Sequence, residues 1–465
     1  MEVKYDYDLL VIGSGPGGYV AAIRASQLGL KTAVIEKDKP GGVCLNVGCI
    51  PSKALINQAE VYRNSRMLED MGIKLDKTGF DYSKVFKKSR KAANTLARGI
   101  EYLFKKNNIE LIKGKGYIES PNQVLVGDDK RFTAKNIIIA TGSRPREIPG
   151  FDIDEDTVLS STGALMLEKL PKDIIILGAG AIGIEFAHIL NAFGVEVHVV
   201  EMMDSILPHE DKEITGVLQK SLKKRGIKFY TSTKAVSMDK MDNNRVTVTL
   251  EDSKGNKFEQ EVEKVLVAVG RTPNTEGIGL ENIGIETDRG FVPVGDYYET
   301  KVKGVFAIGD IVNSPLLAHV ASKEGEIAAE FIAGLNPEPR IDINAIPSAV
   351  YCEPQIASFG YTEEKARAEG IDYKKAVFPY RGAGKSVAIE KSEGMVKILY
   401  HPSTSEILGA HIVGAEATEL IHELLLAKWG ELLPEDIATM VHAHPTLAEA
   451  VMEASRSAEG WAIHF

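Results

Sequence analysis

Cysteine is scarce: the 465-residue chain has three. A secreted scaffold stapled by disulfides needs a far denser set, so that class is excluded. No apolar run approaches the roughly 20 residues of a membrane-crossing helix, and no membrane partner is expected. Cationic excess is lacking too, with 55 basic residues against 65 acidic ones and a net charge of −10. A nucleic-acid partner is therefore excluded, because its phosphates would meet a surface of their own sign. Low-complexity stretches are absent. What the chain does have is length, more than one hydrophobic core serves, so several domains are expected. The first strand-like run, Leu9 to Gly13, begins almost at Met1 and leaves no room for a cleavable signal; a cytoplasmic chain, or one already processed, is expected.

An internal repeat organises the first half. Residues 9–38 superimpose on 174–203 without a gap at an offset of 165: an apolar strand, a glycine turn, a helix, and a second strand ending in Glu. Gly13, Gly15 and Gly18 precede Glu36, and Gly178, Gly180 and Gly183 precede Glu201 at the same interval. A lone G-x-G-x-x-G is often an ordinary turn, but each copy here has the strand, the helix and the distant acid of a dinucleotide site. The first glycine permits the tight turn, the second lets backbone approach a pyrophosphate, and the third lets helix pack on strand. The phosphates then meet free N–H groups at the helix start. The closing carboxylate accepts bonds from ribose hydroxyls and repels a 2′-phosphate. Met202, Met203 and Asp204 follow Glu201 with no cation, so NAD is expected rather than NADP.

Beyond the repeat, residues 80–108 are helix-like and basic, and 112–139 alternate in short strand-like runs. Ala140-Thr141-Gly142 ends a buried strand, 246–252 alternates as a strand, and Val265 to Gly270 ends another. Residues 300–310 read as an apolar strand that delivers Asp310. From about Ile346 the character changes to strands at 396–399 and 411–413 and helix-like stretches at 416–428 and 447–458, a separate α+β unit.

Two of the cysteines, Cys44 and Cys49, follow Glu36 closely, so a dithiol and the first nucleotide share a site. In a regular α-helix residues i and i+5 lie roughly 8–9 Å apart at Cα, beyond the ~7 Å reach of a disulfide. They can bridge only across a distorted turn, which Asn46 and Gly48 tolerate, with Pro51 able to start a helix beyond it. Zinc would need two more soft ligands, and Cys352 stands alone, so no metal is expected. Two buried, inert thiols remain the bland alternative. A dithiol beside one nucleotide, with a second nucleotide fold elsewhere, implies a two-electron relay whose middle carrier is a flavin, since NAD does not readily reduce a disulfide by itself. FAD is assigned to the first fold and NAD to the second.

The run Gly-Gly-Val-Cys-Leu-Asn-Val-Gly-Cys-Ile-Pro-Ser-Lys-Ala from Gly41, the Ala-Thr-Gly at 140–142, the Ala-Ile-Gly-Asp at 307–310 and His442-Ala-His444-Pro-Thr-Leu-Ala-Glu449 resemble the class I pyridine nucleotide-disulfide oxidoreductases over nearly the whole chain. Within them the cysteine run and Glu201 resemble the dihydrolipoamide dehydrogenase branch. The resemblance implies an α/β chain with two Rossmann-like dinucleotide-binding domains and a C-terminal α+β dimerisation domain. The divisions it suggests are 1–146 and 273–345 for the FAD part, 147–272 for the NAD part, and 346–465 for the interface. By it Cys44 is the interchange thiol and Cys49 faces the flavin, with Lys53, paired to Glu185, beside flavin N5. Thr141, Gly142 and Gly270 line the cofactors, Asp310 holds the ribitol, and Ala318 starts a helix near the pyrimidine.

A base must take a proton from the incoming thiol, whose ordinary pKa near 8.5 leaves it mostly protonated at neutral pH. His444 resembles that base and Glu449 its orienting partner, although Thr446 and Glu449 also fit a helix capping box. His442 reads as structural. The resemblance further implies a homodimer whose C-terminal segment completes the partner's site, and lipoyl domains and an acyltransferase (E2) core of a 2-oxoacid complex, or a glycine cleavage system, as partners. A glutathione- or mercury-type NADPH reductase is the competing enzyme, disfavoured by Glu201 and by the absence of a C-terminal cysteine pair. A catalytically idle assembly subunit is disfavoured by the intact set of Cys44, Cys49 and His444.

Overall fold

A computed structural model describes residues 4–241 and 245–464. Leu9 to Val11 are wholly buried, and so are Ile174 to Ile176. Such unbroken apolar runs suit parallel strands covered on both faces. Among the described residues, Tyr7–Ile12 pairs in parallel with Thr32–Glu36 and Lys130–Ile139, flanked by Glu110–Lys113 and Val305–Ala307. The second copy repeats this: Asp173–Leu177 pairs in parallel with Glu196–Val200 and Lys264–Val267, flanked by Lys228–Tyr230 and Val158–Leu159. Each sheet carries an antiparallel meander on its crossover, Gly116 to Ile139 in the first and Thr233 to Val262 in the second. The helices after the glycine turns, Pro16–Gln27 and Ala181–Ala192, are both 12 residues long and keep the 165-residue offset. The mixed α/β architecture expected from the repeat is present.

The C-terminal part is an antiparallel sheet in the order Ser348–Val350, Gln355–Gly360, Ile407–Gly414, Met395–Tyr400, Lys374–Pro379. Helices Ala417–Trp429 and Glu449–Ala458 share its hydrophobic core. One expected element is shorter than its sequence suggests. Of residues 300–310 only Val305–Ala307 is strand, because Thr300 N–H donates to Val305 O and Val305 N–H to Val302 O, folding 300–305 into a turn through Gly304 at φ +80°.

Candidate active site

The two glycine turns show what their spacing demands. A Cβ on Gly13 would lie 2.3 Å from the Ala140 carbonyl oxygen, and one on Gly18 would lie 2.0 Å from that of Gly13. In the second copy the matching approaches are Gly178 to Ala268 O at 2.5 Å and Gly183 to Gly178 O at 2.0 Å. Gly15 and Gly180 face open space within 4 Å and cap helices that have no side-chain cap, so each helix presents free N–H groups to that space. This cradle fits a dinucleotide pyrophosphate in each copy. Glu36 closes the first, accepting bonds from Ser14 N–H (2.9 Å), Ser14 Oγ (2.6 Å) and Asp38 N–H (2.8 Å). Glu201 closes the second, accepting from Ala179 N–H (2.8 Å) and Met203 N–H (2.9 Å). One cleft of about 1910 Å³ runs past both. Its walls include Gly13, Gly15, Glu36, Cys44, Cys49, Lys53, Thr141, Gly142, Gly178, Gly180, Glu185, Glu201, Gly270, Asp310 and Ala318; Gly18 and Gly183 sit behind it, packing helix on strand.

Cys44 and Cys49 form a disulfide with their Cα atoms 4.7 Å apart. The close approach comes from a break between two helices, Gly42–Val47 and Cys49–Asn64. Gly48 makes the break, since a Cβ there would come within 2.9 Å of Val43 O. Two details differ from the expectation. Asn46 does not supply the distorted conformation; it stays helical and its amide nitrogen donates to Gly42 O (2.9 Å) and Pro40 O (3.1 Å), tying the loop down. The second helix begins at Cys49 rather than at Pro51, which occupies its first turn.

Lys53, one helical turn after Cys49, reaches both oxygens of Glu185 at 3.0 Å. Glu185 is buried on the second glycine-turn helix; burial pushes its carboxyl up, against the opposing pull of Lys53. Asp310 is held by a latch that the sequence reading missed. Arg271 Nε donates to Ser143 Oγ at 2.6 Å, and that hydroxyl donates to Asp310. The available signal was position alone, Ser143 following Gly142 and Arg271 following Gly270.

His444 and Glu449 lie outside this cleft. His444 Nδ1 is 2.9 Å from Glu449 Oε1, while Oε2 accepts from Thr446 N–H at 2.9 Å. The capping box is only half present: Thr446 Oγ donates to Ala443 O and the helix starts at Glu449 itself, so the same carboxylate orients the imidazole and ties the loop. Burial acts to raise Glu449, but Thr446 and His444 together hold it below the usual range. The His444 side chain is 75% exposed, whereas His442, bonded to Glu423 at 2.7 Å, is 4% exposed. Cys352 is buried and unpaired, and burial raises its thiol far from reactivity. The three carboxylates Asp211, Glu213 and Glu363 cluster with metal-like spacing, but the Lys397 ammonium sits among them, 2.8 Å from Asp211 and from Glu213.

Residues 7–325 match the family described as pyridine nucleotide-disulphide oxidoreductase, and 346–455 match its dimerisation domain. The chain belongs to the pyridine nucleotide-disulphide oxidoreductase family. It is 44% identical to a dihydrolipoyl dehydrogenase of Bacillus subtilis, with 99% of each chain covered. It is 45% identical to a leghemoglobin reductase of Vigna unguiculata, covering 96% of this chain and 87% of that one. Among solved structures, LpdA from Mycobacterium tuberculosis superposes with a TM-score of 0.88 at 27% identity, over 96% of this chain and 99% of the other. Members of the pyridine nucleotide-disulphide oxidoreductase family pair a flavin with a nicotinamide, and the two cradles fit FAD and NAD(H).

Proposed function

We propose that the chain is a dihydrolipoyl dehydrogenase, oxidising dihydrolipoamide carried on lipoyl domains to lipoamide with NAD⁺ as acceptor. One observation carries this reading: the Cys44–Cys49 disulfide shares a single cleft with both nucleotide cradles. The relatives named dihydrolipoyl dehydrogenase support it along nearly the full length. A substrate thiolate displaces Cys49 from Cys44, forming a mixed disulfide with Cys44, and the second substrate thiol then closes on the first to release lipoamide and leave two reduced cysteines. A bound flavin supplies a two-electron carrier between that dithiol and the nicotinamide. Lys53, paired with Glu185, places its ammonium group on the helix one turn from Cys49. His444 takes the substrate's proton, with Glu449 on Nδ1 leaving Nε2 as the basic nitrogen.

In this reading the chain works as a homodimer. His444 is exposed outside its own cleft, and Leu426, Trp429 and Val441 of the same C-terminal region are exposed at 69%, 70% and 94%. Large apolar side chains left in water suit a subunit interface. We divide the chain functionally at 146, 272 and 345, place it in the cytoplasm and dock it on an E2 acyltransferase core. Among the described residues no helix is long and apolar enough to cross a membrane.

The test is complementation. A Cys44→Ser chain and a His444→Ala chain, each inactive with NAD⁺ and dihydrolipoamide, should recover about half of wild-type activity per mixed dimer, since one of its two sites is then intact. No recovery despite demonstrated subunit exchange would place the base in the same chain as its cysteines.

A further inference from the structure

Lys53 has a second neighbour. Tyr351, just past the strand Ser348–Val350, donates its backbone N–H to Glu185 Oε1 at 3.1 Å, and its ring centroid lies 4.3 Å from Lys53 Nζ. Three distant segments thus converge: Lys53 from the helix that begins at Cys49, Glu185 from the second glycine-turn helix, and Tyr351 from the C-terminal sheet. A lysine stem has four flexible carbons, and a carboxylate at its tip fixes only the tip. The Lys53 side chain is also 34% exposed, so water competes for the ammonium on one side. An aromatic face supplies what the carboxylate lacks, a broad electrostatic rest for the cation together with steric restriction of the stem. Burial, with Glu185 and Glu419 nearby, pushes the Tyr351 phenol up, so the ring meets the cation as a neutral face.

We propose that Tyr351 is a positioning residue, its ring holding the Lys53 ammonium against Glu185 and so fixing the positive charge beside the Cys49 end of the dithiol. The C-terminal sheet thereby orders a charge in the redox cleft of its own chain. The catalytic consequence rests on the function proposed above; the positioning itself does not.

The contact is made by the ring face, so Tyr351→Phe preserves it and Tyr351→Leu removes it, while the N–H bond to Glu185 survives in both. The experiment labels lysines of the purified full-length chain with an amine-reactive reagent and follows Lys53 by mass spectrometry against exposed Lys169, with and without bound flavin. Tyr351→Leu should speed Lys53 labelling about two- to thirty-fold, the range spanned by loss of a cation–π contact, and Tyr351→Phe should leave it at the wild-type rate. Tyr351→Met, unbranched and able to fill the ring's space, replaces the leucine variant if that lowers the melting temperature. In the flavin-loaded chain the leucine or methionine variant should also weaken the long-wavelength band formed on partial reduction, whereas Tyr351→Phe keeps it. Wild-type labelling in the variants that lack a ring, or equally fast labelling in Tyr351→Phe, overturns the proposal. A chain that lacks dihydrolipoamide activity refutes the function and leaves the labelling result to decide the positioning.

Discussion

The two glycine-turn folds have one backbone plan and different surroundings. In the first, Glu36 is buried and takes three hydrogen bonds, two of them from Ser14. The counterpart of Ser14 is Ala179, so Glu201 has two backbone donors and opens towards Met202 and Met203, which are 72% and 54% exposed. The helix Pro16–Gln27 is clamped by Ala318–Ile332, where a Cβ on Gly325 would come within 2.6 Å of Gly17 O. The helix Ala181–Ala192 instead packs on the helix that begins at Cys49, which is how Glu185, at the repeat position of Val20, meets Lys53. A closed cradle suits a cofactor that stays, and an open one suits a nucleotide that must leave each turnover. The two folds thus share a backbone plan and differ at a few side chains, Ser14 against Ala179 and Val20 against Glu185.

Breaking each third glycine separates the roles most sharply. Gly18→Val should yield a colourless chain with activity down at least about a hundredfold, because a Cβ there meets backbone at 2.0 Å and the helix cannot seat beneath the cofactor. Gly183→Val should stay yellow and fail with NAD⁺. Flavin absorbance and turnover with NAD⁺ of the purified variants check both, and a yellow Gly18→Val or a Gly183→Val active with NAD⁺ would contradict the assignment.

The anchoring of the second fold gives the next effect. Asp211, the N-cap of helix Lys212–Lys224, and Glu363 of the C-terminal part share the buried ammonium of Lys397. Burial works against ionisation of both carboxyls, yet His411 and then Lys397 hold Asp211 below the usual range, and Lys397, Lys375 and Tyr373 hold Glu363 there. Removing one partner of such a buried network costs about 3–5 kcal/mol, so Lys397→Met should lower the melting temperature by many degrees while leaving the flavin spectrum intact. Carboxyls with depressed folded-state pKa values contribute stability that is present at neutral pH and lost as pH falls through those values. The gap between wild type and variant should therefore be widest near neutrality and narrow below about pH 5, as the stranded carboxyls take up protons. A gap independent of pH would show that packing, not charge, joins the two parts.

The smallest effect belongs to Glu201. Glu201→Ala should erase a preference for NADH over NADPH of about tenfold, or ~1.4 kcal/mol, read as kcat/KM for each coenzyme. An unchanged ratio would move the discrimination elsewhere.

These contrasts were unevenly legible in the sequence. The glycine turns could be read directly because their requirement is local, a backbone that lacks Cβ at fixed spacing. The cysteine pair was legible as a distorted turn, but Asn46 was credited with tolerating the distortion when its amide holds the loop from outside. The Ser143–Arg271 latch and the Tyr351 contact join residues 128 and about 300 positions apart. No periodicity reports such pairs, since only the packed sheets create them. The overlong strand at 300–310 arose because an apolar pattern continues through a turn that Gly304 permits.

In the proposed function one fold keeps a flavin, the other exchanges a nicotinamide, and the dithiol communicates with both. Anaerobic titration of the purified protein with NADH addresses it most directly. Two electrons per site should produce a long-wavelength absorbance band in the wild type, from a Cys49 thiolate beside oxidised flavin, and Cys49→Ser should bleach the flavin without forming that band. A band undiminished in Cys49→Ser, or NADH that fails to reduce the wild-type protein at all, would contradict the account.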